Sequence, residues 1–358
     1  MEVYADQVTA GLGRVRSDGW YAEGYRPRIP RALGVLPISV PNRMRIARYG
    51  CYPWQARRIR AHLNHVLDQA YGHLTLALGG RRTIVTVHDL IPLLRSRGAI
   101  PHIAKDRRHL LFDLSCRALR RAAHLIAITE NTKRDLIEHL GCEPERISVI
   151  YWGIDRSFSA RTAAEREGLR AKLHLPANVH LVLASGTSFY KNEETSLVVV
   201  RALHDACARP VVLVRLGRVT PSWLERVRAL GMSERVVELG LLPHQRMWEL
   251  YNAVDCLLFP SWYEGLGMPP LEAMACGTPV VSSNAASLPE VVGDAALTAA
   301  PHDVGALAQA VRLLLENPTR RQELVTKGLS RSRLFTWERT VDETLRVYER
   351  VVERSRPA

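Results

Sequence analysis

Two glutamates eight positions apart, Glu264 and Glu272, lie in the segment best suited to chemistry, CLLFPSWYEGLGMPPLEAMACGTPV at 256–280. The pattern predicts a buried strand, a loop and a short helix, because two prolines fit the first helical turn, where an N–H would be unpaired. We expect Glu264 in the loop at the carboxyl end of the strand, and Glu272 in the first helical turn. Two carboxylates at one crevice can accept hydrogen bonds from the vicinal hydroxyls of a sugar or a ribose. Gly265 and Gly267 would let backbone N–H groups approach such a ligand closely.

The surrounding sequence predicts the elements that would position these residues. Short apolar runs alternate with stretches of helical period, which is typical of an α/β protein with parallel sheets. The predicted strands of the first half are 83–87, 125–128 and 147–150, and those of the second half are 180–184, 211–216, 236–239, 256–259 and 279–282. A polar connector between the halves is predicted over 159–175.

The chain begins with a helical pattern. Tyr4, Val8, Leu12 and Val15 recur at the spacing of one helix face. A doubly wound domain normally begins with a strand, so either this domain lacks its first strand or Met1 is an internal start, and we prefer the second explanation. The pair of glycines at 11 and 13 is discounted as a phosphate loop, because no strand precedes it.

The composition is that of a globular protein with two domains. A length of 358 residues is too great for one compact core, and 47% apolar with 24% charged residues excludes wholesale disorder and a fibrous repeat. No apolar run approaches the roughly 18 residues of a membrane span. The first residues do not resemble a secretory signal, so the cytoplasm is the expected compartment. Six scattered cysteines without a Cys-x-x-Cys argue against a zinc site and a disulfide framework.

The positive charge is concentrated in the first half. Residues 1–160 carry 25 Lys and Arg against 14 Asp and Glu, whereas residues 161–358 carry 24 against 22. A solvated helix face is the commonest explanation of such a charge run. Trp and Tyr among the arginines favour an anionic lipid surface next, and nucleic acid is not expected because no reading module accompanies the charge. The clusters comprise Arg43, Arg45, Arg48, Arg57, Arg58 and Arg60, interleaved with Tyr49, Tyr52 and Trp54, and then Lys105, Arg107, Arg108, Arg117, Arg120 and Arg121.

The segment 256–280 resembles the glutamate-x7-glutamate signature of the retaining glycosyltransferases with the GT-B fold, family four. Further segments follow in the order usual for that family. They are 185–192, SGTSFYKN; 239–243, LGLLP; 250–255, LYNAVD; and 287–294, SLPEVVGD, with 86–90 and 149–155 on the amino-terminal side.

The resemblance implies an α/β GT-B architecture, with two Rossmann-like domains and a cleft between them. Residues 1–160 would form the acceptor-side domain, its first strand apparently missing, and 161–335 the nucleotide-sugar-binding domain. Residues 336–358 would form a helix that crosses back to the first domain.

The same resemblance implies roles for individual residues. Glu272 would hold the ribose hydroxyls, and Glu264 would hold the transferred sugar together with Gly265, Leu266, Gly267 and Met268. Lys191 would face the diphosphate, beside Gly186 and Thr187, because a fixed cation stabilises the charge that builds on a departing diphosphate. The family needs no divalent metal, and the chain has no Asp-x-Asp pair in a plausible loop, so we predict metal independence and no cofactor besides the donor substrate.

His88 follows a predicted strand and is the third candidate catalytic residue, beside Glu264 and Lys191. It would contact the donor sugar or its phosphate when the cleft closes, unless it is a structural histidine bonded to the backbone. Asp89 is an alternative for that contact or for a base. Weaker acceptor-side candidates are Tyr71, Thr129 and Trp152, of which Trp152 is equally explained by packing between domains.

One departure concerns phosphate binding, because many relatives place an arginine a few residues before the position of Lys191. Here either Thr187 and Ser188 act as neutral donors, or a cation such as Arg215 or Arg218 comes from the next loop.

The predicted function is transfer of a hexose, with retention of configuration, from a nucleoside-diphosphate sugar to a hydroxyl of a glycan or lipid-linked acceptor. A peripheral position at the inner membrane face is a hypothesis from charge. Two alternatives stay open: a catalytically degenerate nucleotide-sugar-binding protein, and another GT-B chemistry such as a sugar-nucleotide epimerase.

Overall fold

The computed structural model describes residues 2–14, 23–34, 38–107, 109–186, 188–204 and 206–355. The chain divides into two compact units. The first unit takes Met1–Ala99, Ala104–Gly153 and Thr336–Ala358, and the second takes Ile100–Ile103 and Ile154–Phe335.

The first unit contains a parallel sheet of four strands in the order β1–β2–β3–β4. These are β1 (Asn64–Val66), β2 (Thr83–Val87), β3 (His124–Ala127) and β4 (Ile147–Val149). Every residue of β2 and β3 is buried, which explains their nearly continuous apolar sequences. The helices are α1 (Glu2–Arg14), α2 (Arg31–Gly34), α3 (Val40–Ile46), α4 (Tyr52–Ala56), α5 (Thr75–Leu78), α6 (Ile91–Arg97), α7 (Leu110–Ala118) and α8 (Glu130–Leu140).

The predicted opening helix is confirmed as α1. Tyr4, Val8 and Leu12 are buried, whereas Val15 lies outside the described residues. The glycines at 11 and 13 lie inside this helix, so the decision against a phosphate loop is confirmed.

The second unit contains a parallel sheet of six strands in the order β10–β9–β8–β5–β6–β7. These are β5 (His180–Ser185), β6 (Val211–Leu216), β7 (Val236–Gly240), β8 (Cys256–Phe259), β9 (Val280–Ser283) and β10 (Leu297–Ala299). The chain adds strands on one side of β5 and then returns to add β8 on the other side. The point between β5 and β8 is therefore a topological switch point, where the loops at the carboxyl ends diverge and leave a crevice.

Eight helices accompany the described part of the second sheet. They are α9 (Ala163–Lys172), α10 (Glu193–Ala202), α11 (Pro221–Ala229), α12 (Met247–Ala253), α13 (Met268–Ala275), α14 (Leu288–Val292), α15 (Val304–Glu316) and α16 (Pro318–Ser332).

The polar connector predicted over 159–175 is wrong. Residues 163–172 form α9, whose amino end is closed by a capping box in which Thr162 and Glu165 each bond the other's backbone N–H. Leu169 is buried against the core of the second unit. The Thr-x-x-Glu spacing was the available signal for a helix start.

The last helix, α17 (Trp337–Ser355), belongs to the first unit. Val341, Leu345 and Tyr348 pack in one cluster with Tyr4 and Val8 of α1. Among the described residues, no helix combines the length and the apolar character that a membrane span requires.

Candidate functional site

The loops that follow β5 and β8 meet at the switch point of the second sheet. The N–H of Trp262 donates to the carbonyl of Tyr190 at 2.8 Å. The side-chain amide of Asn192 donates to the carbonyls of Pro260, at 3.0 Å, and Pro301, at 2.8 Å. The two loops are thus held as one surface at the carboxyl edge of the sheet.

Lys191 and Glu264 form an ion pair on this surface. Nζ of Lys191 lies 2.8 Å from Oε1 of Glu264, and the two side chains are only 14% and 8% exposed. The ammonium group also lies over the ring of Phe259, 4.6 Å from its centroid. A cation and a carboxylate with little access to water suit a phosphate and a sugar hydroxyl, because electrostatic interactions are stronger where water is excluded.

Two glycines allow this geometry. Gly186 has φ of 95°, and a Cβ there would lie 3.1 Å from Cγ of Lys191. Gly267 has φ of 91° at the start of α13, and a Cβ there would lie 2.6 Å from Cδ2 of Leu288. Any other residue at these positions would have a strained backbone, and its side chain would displace Lys191 or Leu288.

The backbone of the loop around Glu264 is held in place by hydrogen bonds from a buried serine. Oγ of Ser287 donates to the carbonyl of Glu264 at 3.0 Å and lies 3.2 Å from that of Leu266. The backbone that carries the glutamate is therefore ordered before any ligand binds, which reduces the entropic cost of binding.

Glu272 lies one turn deeper in α13 than predicted. The prediction of the first helical turn is wrong, because α13 begins at Met268 and Glu272 is its fifth residue. The two prolines do occupy the first turn, as predicted. The deeper position buries the carboxylate and brings it to two partners that sequence analysis did not identify.

These partners are His244 and Tyr251. Nε2 of His244 lies 2.9 Å from Oε1 of Glu272, and the hydroxyl of Tyr251 donates to Oε2 at 2.9 Å. The hydrogen bond to Glu272 raises the pKa of His244, and burial followed by the charge of Glu272 raises that of Tyr251. His244 could have been identified from its position, since it follows β7 at the same edge of the sheet as Glu264. Tyr251 lies inside α12 and has no such signal.

Arg215 is not available as a second phosphate cation, and it lies on β6 itself and not in the loop that follows. This side chain is buried, pairs with Glu193 at 2.8 Å and Glu238 at 2.9 Å, and lies over the ring of Trp223. Arg218 and Ser188 are exposed, and Thr187 lies outside the described residues.

His88 follows β2 in the first unit, as predicted. Its Nε2 lies 2.7 Å from the carbonyl of Leu67, while Nδ1 is buried and forms no hydrogen bond within the described part of the chain. Burial lowers the pKa of His88 to about 4, so the ring is neutral near pH 7. Because Nε2 must donate to the carbonyl, Nδ1 of the neutral ring is a hydrogen-bond acceptor.

The weaker acceptor-side candidates have structural roles in the first unit. Trp152 stacks on Tyr4, with ring centroids 5.1 Å apart. Oγ1 of Thr129 accepts from the N–H of Thr132 and caps α8. Asp89, the alternative to His88, likewise accepts from the N–H of Ile91 at the start of α6. The hydroxyl of Tyr71 accepts a hydrogen bond from the Arg48 guanidinium at 3.2 Å.

Metal independence stays a prediction. In the ranges that the structure describes, no three side chains of His, Cys, Asp or Glu are grouped to hold a metal ion.

Comparison with known sequences matches both halves of the chain to glycosyltransferase families. Residues 179–317 match the family described as Glycosyl transferases group 1, and residues 9–158 match Glycosyltransferase Family 4. The serotype-specific mannosyltransferase WbdA of Escherichia coli is 28% identical over 284 residues, covering 77% of this chain and 34% of that protein. O-antigen chain mannosyltransferase B of the same species is 43% identical over 111 residues, 31% of this chain and 29% of that protein.

The chain spans about a third of the length of the first curated relatives that it matches. Among solved structures, sucrose-phosphate synthase from Thermosynechococcus elongatus aligns with a TM-score of 0.78 at 21% identity, covering 99% of this chain and 94% of that one. The likeness confirms the predicted class of fold, with two Rossmann-like domains of parallel sheets.

Proposed function

Since this chain belongs to the glycosyltransferases of group 1 and family 4, we propose that it transfers a hexose from a nucleoside-diphosphate sugar to a hydroxyl acceptor. The observation that carries the proposal is the nearly buried pair of Lys191 and Glu264 at the switch point of the second sheet. Ligands of doubly wound sheets bind at such a point.

The donor would use three side chains of the second unit. Glu272 accepts hydrogen bonds from the ribose hydroxyls, Lys191 faces the diphosphate, and Glu264 accepts hydrogen bonds from the sugar. In the transition state the bond from the anomeric carbon to the diphosphate oxygen breaks, and negative charge builds on the leaving group. A fixed ammonium is worth most at that moment, because it stabilises the transition state more than the bound substrate.

Donor binding would exchange one ion pair for another. In the free chain the ammonium of Lys191 is occupied by Glu264. A diphosphate would draw Lys191 toward itself, which frees Oε1 of Glu264 for a sugar hydroxyl. Lys191 and Glu264 would thus stay paired with each other until the donor supplies a new partner for each. Retention of the anomeric configuration is part of the proposal and follows the family resemblance.

The first sugar to test is mannose, because both curated relatives described above are named as mannosyltransferases. His88 is proposed to accept a hydrogen bond from the donor sugar through its unbonded Nδ1.

The acceptor is proposed to be a glycan or a lipid-linked glycan, met at an anionic membrane surface. Helix α7 supports this, because its large apolar side chains face outward and smaller side chains face the core, the inverse of the usual arrangement. Leu110, Leu111 and Leu114 are 74%, 42% and 46% exposed, whereas Ser115 and Cys116 face the core. An apolar outer face is unfavourable in water and favourable in a lipid interface.

The charge around that face complements anionic lipid. Arg107, Arg117, Arg120 and Arg121 are exposed near α7, and residues 24–67 contain nine arginines with no Asp or Glu. Helix α3 lies in that stretch and buries none of its residues. His73 lies 2.9 Å from Ser115 of α7 and 2.9 Å from the carbonyl of Arg48, so the two basic regions adjoin within the first unit.

The test is turnover of nucleoside-diphosphate hexoses, followed by release of the nucleotide and by the anomeric configuration of the product. Glu264→Gln keeps the shape of the side chain and removes its charge, so we expect it to reduce turnover by about 100-fold or more. Glu225→Gln, an exposed position on α11, is the matched control and should keep full activity. Equal activity of wild type and Glu264→Gln would contradict the proposed site. Donor binding without turnover would favour the degenerate binding protein, and an altered free sugar nucleotide would favour an epimerase.

A further inference from the structure

A polar cavity lies at the edge of the second sheet where the strands begin, opposite the edge that carries Lys191 and Glu264. Its volume is about 400 Å³, within the range of sites for small molecules. It is lined by residues at the amino ends of β5, β6 and β8 and by α9 and α16, including Arg166, Arg170, Arg209 and Arg321. The six residues of β5 separate this edge from Lys191 by about 20 Å.

One of these arginines is compensated. Arg170 donates to Oδ1 of Asp255 at 2.7 Å and to the carbonyl of Ala253 at 2.7 Å. The other oxygen of Asp255 accepts from the N–H of Leu181, also at 2.7 Å. The charge of Asp255 is therefore shared between Arg170 and the start of β5.

The other three arginines have no such partner. Among the described residues, Arg166, Arg209 and Arg321 form no ion pair within 4.0 Å, and Arg166 donates only to the carbonyl of Val254, at 2.9 Å. Burial is the main cause that lowers the pKa of Arg166, and the charge of Asp255 opposes this shift only in part. Burial is also the main cause that lowers the pKa of His180 in the same wall. The charge of Asp255 opposes this shift, and the charges of Arg209 and Arg321 add to it.

The arrangement has a cost that an anion would remove. Arg166 and Arg170 stand four residues apart on α9, and like charges at that spacing destabilise a helix. Four arginines from three parts of the chain face two carboxylates, Asp255 and Glu167. A guanidinium binds phosphate oxygens through two parallel hydrogen bonds, so several unpaired guanidinium groups favour a ligand with more than one negative charge.

We propose that this cavity binds a phosphate-bearing small molecule, with Arg166, Arg209 and Arg321 as its ligands. The site is separate from the donor site, and its existence does not depend on the function proposed above.

Pyrophosphate is the probe, titrated by calorimetry at low salt into the full chain. Lys191→Ala serves as the background, because it weakens any binding of diphosphate at the other edge of the sheet. In that background, Arg209→Gln with Arg321→Gln should weaken pyrophosphate binding by roughly tenfold or more, since two charged hydrogen-bonding groups are lost. The matched control removes two exposed arginines outside the cavity, Arg228→Gln with Arg333→Gln, and should leave the dissociation constant unchanged.

A second variant, Arg166→Gln, removes the half-buried member of the set and should weaken binding in the same way. Inorganic phosphate and a hexose phosphate, titrated in parallel, distinguish a free phosphate from a phosphorylated sugar as the ligand. Absence of pyrophosphate binding in the Lys191→Ala background would overturn the proposal. So would equal weakening in the cavity variants and the control, because that would show a response to net charge alone.

Discussion

At the scale of single residues, the candidate site keeps its charged groups paired in the absence of a ligand. Lys191 is bonded to Glu264, and both oxygens of Glu272 are occupied, by His244 and Tyr251. A carboxylate that is already satisfied costs little stability, but a ribose must compete for it. His244 is the partner that pH can change, and it is partly exposed to solvent.

The pH dependence of nucleotide binding tests this competition. The hydrogen bond to Glu272 raises the pKa of His244, so the imidazole keeps its proton to higher pH in the folded chain than in the unfolded one. The ion pair between His244 and Glu272 is therefore fully formed below the ordinary histidine pKa of about 6.5, and it is lost as pH rises through the raised pKa of His244. We expect nucleotide affinity to increase over that rise. Titrations of a bound nucleoside diphosphate from about pH 5.5 to 8.5 measure it.

His244→Ala should bind the nucleotide more tightly than wild type at low pH and show a flatter profile. Tyr251→Phe is the companion variant, because it removes the other partner of Glu272 without removing the titrating imidazole, and it should keep the pH dependence. Identical pH profiles for wild type and His244→Ala would rule out the competition.

At the scale of elements, the sequence predicted whatever is encoded in long apolar runs. The strands β2, β3, β5, β6, β8 and β9 follow such runs, because both faces of a parallel sheet are covered. The edge strand β7 was also predicted, although its residues are only half-buried. Strand β1, Asn64–Val66, was missed because two of its three residues are polar, and β10 was missed because it is a short edge strand.

The site was predictable to the extent that its residues follow strands in order. Glu264 was proposed because it stands just after an apolar run, and Lys191 was proposed because 185–192 resembles a segment of the family. Their mutual contact, the partners of Glu272 and the burial of Arg215 depend on which strands are neighbours, and the order of strands in the sheet is not written in any local pattern.

A largely buried chain of hydrogen bonds joins four elements of the first unit, two helices and two strands. The hydroxyl of Tyr348 on α17 lies 2.6 Å from Nδ1 of His65 on β1, and Nε2 of His65 lies 2.7 Å from Oγ1 of Thr86 on β2. Oγ1 of Thr86 lies 3.0 Å from the hydroxyl of Tyr4 on α1. Burial, followed by the charge of His88, lowers the pKa of His65 to about 3, so the ring bonds in its neutral form.

Tyr348→Phe should lower the free energy of unfolding by about 1–3 kcal/mol, because it leaves Nδ1 of His65 buried without this partner. Denaturant unfolding measures the loss. Tyr25→Phe is the control, since the hydroxyl of Tyr25 donates to Gln55 at an exposed position, and it should change stability by less than about 0.5 kcal/mol. Equal effects of the two variants would show that the buried chain contributes nothing particular.

At the scale of the whole molecule, the first half of the chain carries most of the excess positive charge, and the first unit carries the inverted helix α7. The second unit instead holds the candidate donor site. Under the proposed function, this separation would let one chain meet an anionic surface and a charged donor without one set of arginines serving both.

Binding to anionic vesicles tests the role assigned to the first unit. We expect the chain to co-sediment with vesicles that contain anionic lipid at low salt and to be released as salt screens the arginines. Leu111→Gln with Leu114→Gln should reduce binding, because about 2 kcal/mol of burial is lost for each leucine. The control, Leu241→Gln with Leu334→Gln, changes exposed leucines of the second unit and should bind as wild type. No sedimentation of wild type at low salt would contradict the membrane proposal.

The most direct test of the central claim is a thermal-shift screen of the chain against UDP, GDP, ADP and CMP, with no metal added. A nucleotide at about 100 times its dissociation constant stabilises the native state by about 2.7 kcal/mol. For a domain of roughly 150–250 residues, the size range of the second unit, that corresponds to a rise of about 5–10 °C in Tm. We predict that one nucleoside diphosphate stabilises wild type strongly and that Glu272→Gln loses most of that shift. A chain that melts cooperatively but responds to none of the four nucleotides, or a Glu272→Gln variant that responds as wild type does, would contradict the account.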